Sequence, residues 1–228
     1  MFLAAGSCQS RTFSYSFHSD RVGHAFRARI GGMTSALRPP ALDGAFGAAP
    51  VPAGRLTGLP PVVDARTVVL VLGSFPGAAS LRAGQYYAHA QNQFWPIVQS
   101  LWPQHALPPR EDYAGRCAWL LARGLGLWDV YGACEREGSL DAAIRHAEVN
   151  DFAALRAHCP RLAAIAHNGG ESHKHARSVL AALAGQGAAP QTALQALRLP
   201  STSPAFAAWN MERKRNAWAE ALAPFGLV

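Results

Sequence analysis

Residues 68–95 read VVLVLGSFPGAASLRAGQYYAHAQNQFW, and this stretch decides the fold. It opens on five consecutive aliphatic residues, 68–72, with no polar residue alternating. Such a run suits a strand buried on both faces of a parallel sheet. At Gly73 the run stops. Gly73, Pro76 and Gly77 punctuate a turn where backbone can approach a ligand closely, since glycine has no Cβ and proline fixes its own φ. Beyond it stand Tyr86, Tyr87, His89, Asn92, Phe94 and Trp95, more aromatic and amide groups than a plain connector needs. Ligands of open parallel sheets bind at the carboxyl ends of strands, which is where this loop begins. The candidate active site is placed here.

Downstream, residues 94–102 read as a helix that tolerates Pro96 only in its first turn. A second helix is expected over 111–123, stopped by Gly124, followed by a strand at 125–131. Ser139 is placed as the cap of a short helix running to His146, with Asp141 near its positive end. Asn150 or Asp151 caps a further helix over 152–158. A third strand (162–167), a helix (171–184), a Gly/Ala/Pro linker, a fourth strand (193–199) and a last helix (207–223) complete the chain. In the last helix Met211, Trp218, Ala221 and Leu222 share a face. Four strands alternating with helices predict a parallel sheet covered on both faces, with right-handed crossovers.

Upstream, residues 1–58 are rich in Ala, Gly, Pro, Ser and Arg and lack periodicity, so they are expected to be a disordered extension or the product of a start assigned too far upstream, with Met33 as the alternative. The domain is expected to cover residues 59–228. A chain of 228 residues, half of them hydrophobic, can bury a full core. No apolar run approaches the ~18 residues of a membrane span. Net charge is +7, but residues 1–60 hold six Arg against two Asp, so +4 of it lies there. Bulk charge is therefore weak support for a polyanionic partner. Cys8, Cys117, Cys134 and Cys159 form no CxxC pair, which argues against a zinc or iron–sulfur site and points to reduced thiols in a cytoplasm.

GSFPG lacks the Walker lysine and the spacing of a dinucleotide fingerprint, and it is not a GxSxG elbow. The wider pattern GSFPGxxSLxxxQYYxHxxNxFW, with LWDV, CEREGSLD and LPSTSPA downstream, resembles the uracil-DNA glycosylase superfamily, most closely its hypoxanthine (deoxyinosine) branch. The resemblance spans residues 59–222. It implies an α/β fold, a three-layer αβα sandwich with a four-stranded parallel sheet.

It also implies a monofunctional DNA glycosylase that releases hypoxanthine from DNA containing deaminated bases, with water as nucleophile. No cofactor and no metal is expected, and a cytoplasmic, nucleoid-associated monomer with no membrane partner. Neither motif contains a lysine for a Schiff base, so no lyase step is expected. Carried over by motif, Asn92 is the catalytic amide, which can orient water through its carbonyl and donate through its NH2. The same residue is equally suited to cap the helix at 94–102. Asp129, at a strand end, is placed to read the base or to stabilise positive charge on the sugar; a local backbone cap is its plainer role.

Gly73, Ser74, Phe75, Tyr86, Phe94 and Asn168 are assigned to the base pocket, with Phe75 as a stacking platform. Tyr87 is a further wall candidate. His89 and the loop Ser201, Thr202, Ser203, Pro204 are assigned to DNA, the hydroxyls and backbone N–H groups serving phosphates. Arg213, Lys214 and Arg215 read as a solvated helix face. Three other readings stay open: a uracil or mismatch-specific thymine/uracil glycosylase, a non-catalytic DNA-binding module, and a hydrolase of free nucleosides.

Overall fold

The computed structural model describes residues 54–184 and 194–228. The linker expected between the third helix-bearing unit and the last strand, and most of the N-terminal extension, lie outside the described residues. Seven strands are β1 (Leu56–Thr57), β2 (Val69–Gly73), β3 (Leu125–Asp129), β4 (Tyr131–Glu135), β5 (Arg145–Val149), β6 (Ala164–Asn168) and β7 (Gln195–Leu199). The α-helices are α1 (Ala78–Ala83), α2 (Phe94–Leu101), α3 (Tyr113–Leu121), α4 (Phe152–His158), α5 (Gly170–His173), α6 (Ala176–Ala184) and α7 (Met211–Leu222).

The expected parallel sheet is present, in the order β3-β2-β6-β7, with every neighbouring pair parallel. Every residue of β2 and β3 is buried, as expected of strands covered on both faces; β2 is apolar throughout, and β3 is apolar up to the Asp129 at its end. The cover comes from two packed helix pairs, α2 on α7 and α4 on α6, giving three layers. Phe94 and Trp218, both without exposed surface, meet edge to face at 5.8 Å where α2 crosses α7.

Four expectations are corrected. The strand read at 125–131 is two strands in different sheets. After Asp129 the backbone N–H groups of Val130 and Tyr131 donate to the carbonyls of Gly73 and Ser74, and Asn150 Nδ2 donates to Asp129 O at 2.9 Å, turning the chain out of the parallel sheet. It then runs into an antiparallel sheet, β1-β4-β5. The helix expected at 139–146 is a single 3-10 turn, Asp141–Ala143, followed by β5. Ser139 caps nothing of its own, because its Oγ accepts from Ala78 N across the molecule at 3.0 Å.

The helix read at 171–184 is broken into α5 and α6, and the last helix starts at Met211, where Asn210 Oδ1 accepts from Arg213 N. A short helix, α1, also sits inside the loop after β2, closed by Gly84 at φ 61°. The ordered body reaches back beyond Leu59: β1 pairs with β4, and Arg55 donates to His146 O at 2.8 Å and pairs with Glu148 at 3.1 Å.

Candidate active site

The parallel strands end together on one edge, β2 at Gly73, β3 at Asp129, β6 at Asn168 and β7 at Leu199. A cleft of about 530 Å³ opens at that edge, and the turn after β2 and the turn after β7 both line it. The two turns are tied together. Asn168 Nδ2 donates to Thr202 Oγ1 and Thr202 N donates to Asn168 Oδ1, each at 2.9 Å, and Gln93 N donates to Thr202 O at 3.0 Å. Behind them the buried ammonium of Lys214 donates to Gln93 Oε1 and to Phe206 O, both at 2.8 Å.

Gly73 is required by close approach: a Cβ there would lie 2.3 Å from Asp129 Oδ1. Asp129 is 4% exposed, and its Oδ2 has no hydrogen-bond partner. Burial, reinforced by repulsion from Asp141 and only partly offset by Arg136, pushes its carboxyl up to about 8. Near neutral pH it is a protonated acid, able to donate through O–H and accept through C=O. Asp141 also lines the cleft. Partial desolvation of its carboxyl pushes it upward, the Ser74 bond, Arg136 and Lys174 pull it back, and Glu171 adds repulsion.

Tyr87 adopts φ 55°, unusual for a bulky side chain, and its ring stacks on Phe94 at 4.1 Å. Its hydroxyl has no well-formed hydrogen bond, only an interaction with the Asn168 amide, and burial followed by the Asp129 charge raises its pKa. Asn92 Oδ1 accepts from Phe94 N at 2.9 Å, so one lone pair of its carbonyl is spent on the start of α2 and its NH2 is left for the cleft. His89, exposed at the mouth, accepts at Nδ1 from Gln91 N.

Of the residues singled out from sequence, Gly73, Ser74, Phe75, Tyr86, His89, Asn92, Asp129, Asn168 and Ser201 to Pro204 all line this one cleft. Phe94 does not; it is fully buried beneath Tyr87 and acts as its backing. Tyr86 reaches the cleft, but its hydroxyl is spent on Leu59 O at 3.0 Å. Tyr87, the further wall candidate, also lines the cleft. Two residues were not singled out for the site: Asp141 was read as a helix-end charge, and Lys214 was hidden in a run of charges.

A covered parallel sheet with a cleft across its strand ends, walled by a glycine turn and a hydroxyl-rich turn, defines an α/β enzyme of the strand-end-cleft class. The chain belongs to the uracil DNA glycosylase superfamily, whose family model matches residues 60–223. A hypoxanthine DNA glycosylase from Methanosarcina barkeri (strain Fusaro / DSM 804) is 38% identical over 118 residues, 52% of this chain and 73% of that protein. One from Methanosarcina acetivorans is 40% identical over 115 residues, 49% of this chain and 70% of that protein. The solution NMR structure of a Methanosarcina acetivorans protein described as a candidate uracil DNA glycosylase superposes with a TM-score of 0.57 at 29% identity, covering 73% of this chain and 98% of that one.

Proposed function

We propose that this DNA glycosylase hydrolyses the N-glycosidic bond of deoxyinosine, releasing hypoxanthine and leaving an abasic site. The observation that carries the reading is the buried Asp129 carboxyl, its Oδ2 without a hydrogen-bond partner, in a cleft shared by the two motif turns, where burial pushes its pKa up to about 8. Hypoxanthine presents an N1–H donor beside an O6 acceptor. A neutral carboxylic acid answers both, its C=O accepting from N1–H and its O–H donating to O6. From its strand-end position Asp129 reads as a carboxylate that could accept the N1–H; desolvation favours the acid. The relatives named for hypoxanthine support the same substrate.

In this reading Phe75, with the Arg136 guanidinium 5.0 Å from its ring centre, is the platform for the extruded base. The Asn92 NH2 and Tyr87 hydroxyl are free donors for the sugar or base. The Ser201 and Ser203 hydroxyls, which accept from Ser203 N and Ala205 N and keep their own hydrogens to donate, hold phosphate beside the extruded nucleotide.

The test is an excision panel on duplexes identical except for hypoxanthine, uracil or xanthine, with and without alkali after incubation. The expected result is strand scission at hypoxanthine only after alkali, and no turnover of free inosine. Absence of a cut at hypoxanthine removes the preferred substrate, and a cut at uracil alone transfers the protein to the uracil-acting branch. Duplex binding with every base left in place would reduce it to a binding module.

A further inference from the structure

We propose that Asp141 is a further catalytic residue, the carboxylate that takes the proton of the attacking water; this rests on the glycosylase reading above. Ser74 Oγ donates to Asp141 Oδ1 at 2.5 Å, a contact between positions 67 apart in sequence, and both side chains line the cleft. The segment that delivers Asp141 is stitched onto the glycine turn after β2. Arg136 donates to Pro76 O and lies over Phe75, and Ser139 accepts from Ala78 N. Arg145 closes the 3-10 turn from behind by donating to Ala142 O and Ile144 O, each at 2.8 Å. These ties orient a carboxylate towards the cleft from a segment that has no regular structure of its own beyond that turn.

The other polar groups of the cleft cannot do this work. Asp129 holds its proton near neutral pH. The Asn92 carbonyl is engaged with Phe94 N and is in any case too weak a base to keep a proton. His89 accepts at Nδ1, so its neutral ring carries the hydrogen on Nε2 and presents a donor. Tyr87 keeps its hydroxyl hydrogen, because burial raises its pKa. Asp141 is the other carboxyl group that lines the cleft. Burial and then Glu171 raise its pKa, while the Ser74 bond, Arg136 and Lys174 favour its charged form, and the neighbouring Asp129 is neutral while it holds its proton.

In the step, the water oxygen bonds to C1′ as the C1′–N9 bond breaks with its electron pair passing to the purine. The water proton goes to Asp141. The purine's charge spreads to O6, where Asp129 O–H meets it, and the base takes a proton from solvent after release. Asp141 returns its proton to solvent. Asp141 and Asp129 thus divide the base and acid roles between them.

The discriminating variant is Asp141→Asn, because an amide oxygen still accepts from Ser74 Oγ and preserves the tether while losing the ability to take a proton. Single-turnover excision of hypoxanthine is expected to fall by ~10²- to 10⁴-fold. Duplex affinity and thermal unfolding stay near wild type, and the acid limb of the pH–rate profile disappears. The swapped variant Ser74→Asp with Asp141→Ser, which returns a carboxylate to the same hydrogen-bonded pair, is expected to recover at least ~10-fold over Asp141→Asn. An Asp141→Asn enzyme with wild-type rate and an intact acid limb overturns the proposal. So does a folded swapped variant with no recovery. Failure of the wild-type protein to excise any base is a different result, and it sinks the glycosylase reading itself.

Discussion

At the position of Asp129 two properties come from one cause. A carboxyl pushed up to about 8 by burial binds a proton in the folded state that an unfolded chain, with its ordinary value near 4, has already released. Between those values the native state therefore holds more protons than the unfolded state, and stability falls as pH rises, by up to ~1.4 kcal/mol per pH unit. Urea unfolding from pH 5 to pH 8 is expected to show this decline in the wild type and a flatter line in Asp129→Asn, which has no proton to lose; parallel lines would return Asp129 to an ordinary carboxylate. The rate has the matching dependence, losing activity above about 8 as the acid ionises. Asn92 carries two roles that a pair of variants separates. Asn92→Ser keeps an oxygen for Phe94 N but removes the NH2, so excision is expected to drop ~100-fold with stability little changed. Asn92→Ala should lose ~1 kcal/mol more in stability on top of the same catalytic defect. Equal turnover in the serine variant and the wild type would leave Asn92 as a helix cap alone. Tyr87→Phe deletes a hydroxyl without a well-formed partner, so the fold is expected to tolerate it while excision declines.

Among the elements, β2, β3 and β6 were legible because each is a short, largely apolar run ended by a turn and buried on both faces, whereas β7, QALRL, is a part-exposed edge strand legible mainly from its place in the alternation of strands and helices. The second sheet was not legible. Strand β5 reads RHAEV with every residue exposed, and β1 is two residues long, so neither carries a period; what makes them strands is backbone pairing to β4. Ser139 shows the same limit at a single side chain. A serine before an acidic turn reads as a local cap, and only the fold shows that its acceptor serves Ala78. Lys214, likewise, sits in MERKR, which reads as a solvated face until α7 packs on α2 and buries it. The site was recoverable to the extent that it stands on strand ends and motif turns. It was lost where a group, such as Asp141, arrives from an irregular segment. The clasp between β6 and the turn after β7 offers a test at this scale. Thr202→Val leaves Asn168 Nδ2 without its acceptor, and is expected to cost ~1–3 kcal/mol of stability and to weaken duplex binding, since it frees the turn proposed to hold phosphate. Unchanged duplex affinity in a folded variant would detach that turn from DNA. Phe94→Ala, which removes the backing of Tyr87, is expected to cost ~3–5 kcal/mol and to impair excision in proportion.

For the whole molecule the question is where the catalytic body begins. Residues 1–53 hold five Arg and two Asp, +3 of the chain's +7, and their sequence has no periodic apolar face. A protein beginning at Gly54 retains every described contact, including β1 and the Arg55 ties to His146 O and Glu148. One beginning at Leu59, the boundary suggested by composition, loses both. The exposed ion pair is worth at most ~1 kcal/mol, but β1 is the edge partner of β4, and β4 leads directly into the segment that carries Arg136, Ser139 and Asp141 to the cleft. We therefore expect the 54–228 protein to unfold cooperatively and to match the full chain in single-turnover excision, with a shallower dependence of duplex affinity on salt because fewer cations reach phosphate. The 59–228 protein should fold, melt lower, and excise more slowly, with the loss falling on rate more than on duplex affinity because what it loosens is the placement of Asp141 and not the phosphate turn. Equal rates for the two truncations would mean that the antiparallel sheet is a passive edge. A 54–228 protein that fails to unfold cooperatively would mean that the first fifty-three residues belong to the folding unit.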